Sequence, residues 1–133
     1  MVGIKGAAAD VIFCTTPSTQ ALFPARYLTS EEARCKTRYI AAIGSYRLDM
    51  TEIDPELLKT IIDPQGVFSD QVWNGRVVVD SASGCLQEAG GLVKAGIGSD
   101  QMHEVGKLHH TLSVETIAEL ENGFNLSSSC TKV

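Results

Sequence analysis

At 133 residues, 44% of them hydrophobic, the chain has the length of one domain with a core of ordinary size rather than of two. Its net charge of −5 comes with eleven Lys and Arg that are scattered rather than clustered, which argues against nucleic acid or an anionic membrane surface as the main partner. No apolar run approaches the roughly 18–20 residues of a membrane helix, and the N-terminus lacks the pattern of a signal peptide, so a soluble, cytoplasmic protein is expected.

The elements are expected in alternation. "DVIFCTT" from Asp10, "RYIAAIG" from Arg38 and "RVVVD" from Arg76 are nearly continuous apolar runs, the composition of strands buried on both faces. Between the first two, "LTSEEARC" offers Thr29 as a helix N-cap with Glu32 three positions on, a capping-box spacing. After the second, Asp54 is the expected N-cap and Pro55 the first residue of a helix that puts Leu57, Leu58, Ile61 and Ile62 on one stripe before Pro64 stops it. After the third, "SASGCLQEAGGLVKAG" is read as a glycine-weakened helix with Leu86, Ala89 and Val93 on one face. A last helix is expected from Ser113 to Gly123, carrying Val114, Ile117 and Leu120.

Strands alternating with helices predict an α/β fold, a small parallel sheet of three or four strands with helices on both faces. Residues 1–126 form one domain in this reading, and 127–133, polar in composition, a flexible tail. So thin a sheet leaves an apolar first strand unpaired at its edge, an aggregation hazard that predicts a homodimer, a higher homo-oligomer, or docking on another polypeptide.

Each predicted strand ends in small or polar residues, and in open parallel sheets ligands bind at the carboxyl ends of strands. The first tip holds Cys14, Thr15, Thr16, Pro17 and Ser18; the second holds Ser45, Tyr46, Arg47 and Asp49, with Glu52 beyond; the third holds Asp80, Ser81 and Ser83. These groups are candidates for a small-molecule crevice. Cys14 is a possible nucleophile, but neither a base nor a positive charge is identifiable beside it, and a buried, inert thiol is the plainer reading. In the second tip a carboxylate can act as general acid or base and Arg47 can orient an acidic substrate; the alternative is a solvated loop leading to the Asp54 cap.

A metal site is not expected. Cys14, Cys35, Cys85 and Cys130 are widely spaced and read as reduced thiols, and His109 and His110, about 100° apart on a helix, cannot both face one ion. His103 and His109 read as surface or packed histidines. A self-sufficient dinucleotide fingerprint is not expected either, because "MVGIKGAAAD" and "GCLQEAGG" both miss the G-x-G-x-x-G register.

Taken together, "GAAADVIFCTTPSTQALFP", "IAAIGSYRLDMTEIDPELL", "RVVVDSASGCLQEAGGLV" and "HEVGKL" resemble, in order and spacing, the ornithine cyclodeaminase/mu-crystallin family, from about Gly6 to about Leu108. The "AIGSYRLDMTEID" block is most similar to the mu-crystallin and ketimine-reductase side. Members are typically homodimers with a nicotinamide-binding Rossmann domain and a separate substrate domain. The resemblance covers only the second half of that Rossmann domain and so implies a half-Rossmann-like, truncated relative without the phosphate loop, the ribose-binding acid or the substrate domain. The family's lysine-serine-valine-glycine turn is not recognisable in "GFNLSSSCTKV". Where the cyclodeaminases carry a catalytic aspartate just after the "IG" strand tip, this chain has Tyr46, whose phenol, ionising near pH 10, cannot replace a carboxylate base at pH 7. Asp49 matches an aspartate common on the mu-crystallin side.

The resemblance thus implies a small-molecule enzyme acting on an imine, carbonyl or amino-acid-derived substrate by proton transfer, with Tyr46 and Asp49 as acid and base and no tightly bound nicotinamide. One alternative is an NAD(P)-dependent ketimine reductase-like activity whose missing half is supplied by dimerisation or a partner. The other is a non-catalytic oligomeric binding module.

Overall fold

A computed structural model describes residues 8–36, 38–68 and 76–107, together with a short strand at 131–132. The three apolar runs are strands: β1 is Val11–Cys14, β2 is Tyr39–Ala42 and β3 is Val77–Val79. β4, Met102–Glu104, and β5, Thr131–Lys132, complete a five-stranded sheet in the order β1-β2-β5-β3-β4. β1 pairs with β2 in parallel, from Val11 opposite Tyr39 to Cys14 opposite Ala42, and β3 pairs in parallel with β4. β5 is antiparallel to both β2 and β3. The four longer strands therefore all point the same way, and their carboxyl ends share one edge of the sheet.

The α/β class is as expected, but two details of the expectation are corrected. Among the described residues, parallel pairing is confined to two pairs joined by an antiparallel strand, and the sheet has five strands rather than three or four. The source of the discrepancy is β5, which comes from the expected tail: it joins the sheet through main-chain hydrogen bonds, for which polar side chains are no obstacle. Residues 127–130 and 133 of that tail lie outside the described residues, as does the helix expected from Ser113 to Gly123.

The helices are short. α1, Arg26–Thr29, and α2, Glu31–Arg34, are single turns, with Ser30 between them capping α2 by accepting from Ala33 N at 3.2 Å. The cap is one residue later than expected because Thr29 completes α1. α3, Pro55–Ile62, begins as its sequence predicts: Asp54 Oδ1 accepts from Glu56 N at 3.0 Å, and Pro55, which has no N–H to satisfy, takes the first turn. Leu57 and Leu58 are buried.

The expected helix after β3 is two helices, α4 (Ala82–Glu88) and α5 (Gly90–Ala95), broken at Ala89. Ala89 is buried as expected, but its buried companions are Cys85 and Leu92 rather than Leu86 and Val93, which are exposed. Gly96 ends α5 with φ +72°, the left-handed conformation glycine adopts without a Cβ penalty.

Leu28, Leu57, Leu58, Cys85 and Leu92 share one core cluster with Cys14, Ile40, Val77, Val79 and Met102, so α1, α3, α4 and α5 pack on one face of the sheet. On the other face Ala41 and Val78 are buried, while Val11 and Phe13 at the β1 edge are 49% and 60% exposed. Burial on both faces thus holds for β3 and not for β1. Among the described residues the helical cover of the core belongs to a single face.

Candidate functional site at the strand tips

Parallel neighbours end side by side, which places the β1 and β2 tips together; the ladder continues one step further, with Ile43 N donating to Cys14 O at 2.9 Å. At Gly44 the two backbones come so close that an added Cβ would stand 2.1 Å from Thr16 O, a position only glycine can fill. Glu52 closes this junction. It is 1% exposed, and its carboxylate accepts from Thr16 N at 2.5 Å, Thr16 Oγ1 at 3.2 Å and Gly44 N at 2.7 Å. Backbone donors from two different strand tips thus converge on one buried negative charge. Such hydrogen bonds to an ionised group contribute about 1.5–3 kcal/mol each, which offsets the cost of taking the charge out of water.

The chain between Gly44 and Glu52 is not a loose loop. Thr51 N donates to Ser18 O at 2.7 Å, Leu22 N to Glu52 O at 2.9 Å, and Met50 N to Arg47 O at 3.0 Å. Arg47 forms an isolated bridge with Ala89 at the break between α4 and α5. Lys94 Nζ reaches over from α5 to Thr51 Oγ1 at 2.6 Å. The turn is therefore fixed in position by its main chain while Tyr46, Arg47 and Asp49 point outward.

Those three side chains are gathered with one another. Arg47 grips Asp49 in a two-point ion pair, Nε to Oδ1 at 3.0 Å and Nη2 to Oδ2 at 2.9 Å, and its guanidinium lies 5.9 Å from the centre of the Tyr46 ring. Ser45, half-buried, lines a small cavity together with Glu52. Ser18 turns on itself, its hydroxyl donating to Gln20 O, while Thr15 and Pro17 are exposed.

Cys14 lies beneath Thr16 and is buried. Burial first, and then the negative charge of Glu52, raise its pKa from 9.0 to about 11. At neutral pH it is a thiol and offers no thiolate nucleophile.

The third tip does not join the other two. β5 stands between β2 and β3, and the described residues of the β3 tip form a separate network: Ser81 Oγ caps α4 by accepting from Gly84 N at 3.2 Å and lies 3.2 Å from Ser83 Oγ, and Asp80 Oδ1 accepts from Ser81 N at 2.7 Å. Glu104 at the end of β4 accepts from Ala82 N at 2.8 Å and pairs with Lys107. The hydrogen bond from Lys107, and then that from Ala82, hold the Glu104 carboxyl below its usual range. His103, on β4, is lowered by burial and then by the charge of Arg76; His109 and His110 lie outside the described residues.

Three backbone donors at the tips are committed within the chain. Thr16 N and Gly44 N face Glu52, and Ala82 N at the start of α4 faces Glu104. A phosphate using any of these three donors would have to displace Glu52 or Glu104. No group of three or more His, Cys, Asp or Glu among the described residues is arranged to hold a metal ion, and no described helix is long and apolar enough to cross a membrane.

Against known proteins, no family model matches the chain. It does have a yeast relative. Over 102 residues it is 29% identical to the uncharacterized protein YGL159W of Saccharomyces cerevisiae. The similarity covers 75% of this chain and 26% of the yeast protein, so the chain spans about a quarter of the length of that relative.

The residue that organises the site is one the sequence hardly marks. Glu52 stands between Thr51 and Ile53, with Met50 just before, and all four are buried. A charged residue inside such a run, eight positions after a strand-tip glycine, was the available signal. It is easily taken for the polar approach to the Asp54 cap.

Proposed function

We propose that the chain is a relative of the ornithine cyclodeaminase/mu-crystallin family whose sheet corresponds to the second half of a Rossmann domain. In this reading it is a cytoplasmic, homo-oligomeric enzyme that moves a proton on a small imine or carbonyl substrate derived from an amino acid, without tightly bound nicotinamide. The observation that carries it is the Glu52 clamp. By tying the β1 and β2 tips together it fixes the Ser45–Asp49 turn at the carboxyl edge of the sheet, where ligands of parallel sheets bind.

The roles follow from the side chains. With a cyclic imine at the turn, the Asp49 carboxylate removes a proton from the carbon beside the C=N bond. The electron pair moves to nitrogen as the Tyr46 phenol supplies a proton there, giving the enamine, and reversal restores the imine. Arg47, already paired with Asp49 and close to Tyr46, meets a carboxylate on the substrate. Cys14 takes no part.

A second reading, reduction at the expense of NAD(P)H, is favoured by two observations: the relative is about three times as long, and β1 is an exposed apolar edge onto which another polypeptide could supply a nucleotide-binding half. One experiment separates them. Incubated with 1-pyrroline in D2O, the protein should speed loss of the proton NMR signal of the carbon beside C=N, and the Tyr46→Phe/Asp49→Asn double variant should lose at least about tenfold of that rate. An unchanged rate in the double variant sinks the assignment, and consumption of added NADPH would move the conclusion to the second reading.

A further inference from the structure

Behind the β2 tip, Ser45 and Glu52 meet the apolar walls formed by Ile53, Leu58, Gly91 and Leu92 at a cavity that is partly open to solvent and has about 20 Å³ of water-sized space. We propose that this cavity is a binding site for a single water molecule shared by Glu52 and Ser45, and that the water connects the buried carboxylate to the strand-tip crevice.

Size and polarity agree. By this measure one water needs about 10–15 Å³, so the inner part of the cavity has room for one. Cavities of this size lined only by apolar groups stay dry, but two groups here have unused hydrogen-bonding capacity. A carboxylate has about four acceptor positions. Glu52 Oε1 uses two, for Thr16 N and Thr16 Oγ1, whereas Oε2 accepts only from Gly44 N. The carboxylate has no ion pair with a cation among the described residues to take up the remaining position. Ser45 Oγ likewise has no hydrogen-bond partner among the described residues, although the residue is half-buried. A water donating to Glu52 Oε2 and bonded to Ser45 Oγ satisfies both at once.

The consequence concerns proton movement. At 1% exposure Glu52 cannot touch a ligand in the crevice, so any exchange of protons with it runs through such an intermediary. The site itself stands whether or not the crevice turns over an imine, and its failure would leave the assignment of Tyr46 and Asp49 untouched.

Gly91 provides the test. A Cβ added there would lie 3.5 Å from Ile53 O and 3.8 Å from Leu58 Cδ1, ordinary contacts with two cavity walls, so Gly91→Ala fits the fold and takes the space of the water. In a crystal structure of the wild-type chain at high resolution, density for one water is expected within hydrogen-bond distance of both Glu52 Oε2 and Ser45 Oγ, and it should vanish in Gly91→Ala. An alanine inside a helix ordinarily raises the melting temperature by about 2–4 °C in a chain of this size; displacing a water that Glu52 needs should cancel that rise. A wild-type cavity without density at that position overturns the proposal. So does a Gly91→Ala chain that gains the full increment, since a dry cavity would only profit from the methyl group.

Discussion

Two carboxylates three residues apart, Asp49 and Glu52, show why a charge must be judged by its surroundings. Asp49 sits in the obvious place, beside an arginine on an exposed turn, and its ion pair is open to water on both sides. Such pairs contribute about 0–1 kcal/mol, because water solvates the separated charges nearly as well. Glu52 is buried with three hydrogen bonds from the chain. Glu52→Gln keeps the shape but turns an amide N–H toward a backbone N–H, leaving a buried donor without an acceptor, at a cost of about 1–3 kcal/mol. Urea unfolding should therefore show Glu52→Gln destabilised by that amount and Asp49→Asn within about 1 kcal/mol of the wild type. Equal losses in the two variants would mean that Glu52 does not hold the tips together.

At the scale of elements, what was legible in the sequence is what local chemistry decides. The three apolar runs are strands, and Asp54 with Pro55 starts α3, since a cap and a proline act within one turn. What was not legible depends on distant backbone. "SASGCLQEAGGLVKAG" reads as one helix, and its break at Ala89 is imposed by the turn after β2: Arg47 bridges to Ala89, and Gly90 lies so close beneath the turn that an added Cβ would stand 2.3 Å from both Leu48 O and Met50 O. The glycine that looked like a weakness of the helix is where the turn docks. For the same reason the site was only partly legible: the turn carrying Tyr46, Arg47 and Asp49 could be found from its strand tip, but the clamp under it could not. Gly90→Ala, a substitution that stabilises an ordinary helix, should here push the turn away and destabilise the chain by about 1–3 kcal/mol. Thermal unfolding followed by circular dichroism checks the sign; a stabilised variant would show that the turn yields without cost.

For the whole molecule the decisive element is the smallest. β1 with β2, and β3 with β4, are two parallel pairs, and in the described sheet only β5 joins them, through Ala41 and Ala42 opposite Lys132 and Thr131 on one side and Val78 opposite Lys132 on the other. Composition marks 127–133 as a tail, because serine, threonine and lysine make up most of it. Its main chain, however, satisfies N–H and C=O groups of β2 and β3 in the middle of the sheet, where Ala41 and Val78 are buried and water cannot substitute. Deleting residues 127–133 should on this argument cost on the order of 2–4 kcal/mol, at about 1 kcal/mol per lost hydrogen bond, and lower the urea midpoint accordingly. A dispensable tail predicts an unchanged midpoint. Mixing the shortened chain with a synthetic peptide of residues 127–133 distinguishes a lost strand from a general insult to folding: restoration of the midpoint at high peptide concentration, by mass action on the native state, is the outcome expected of a strand that the sheet requires.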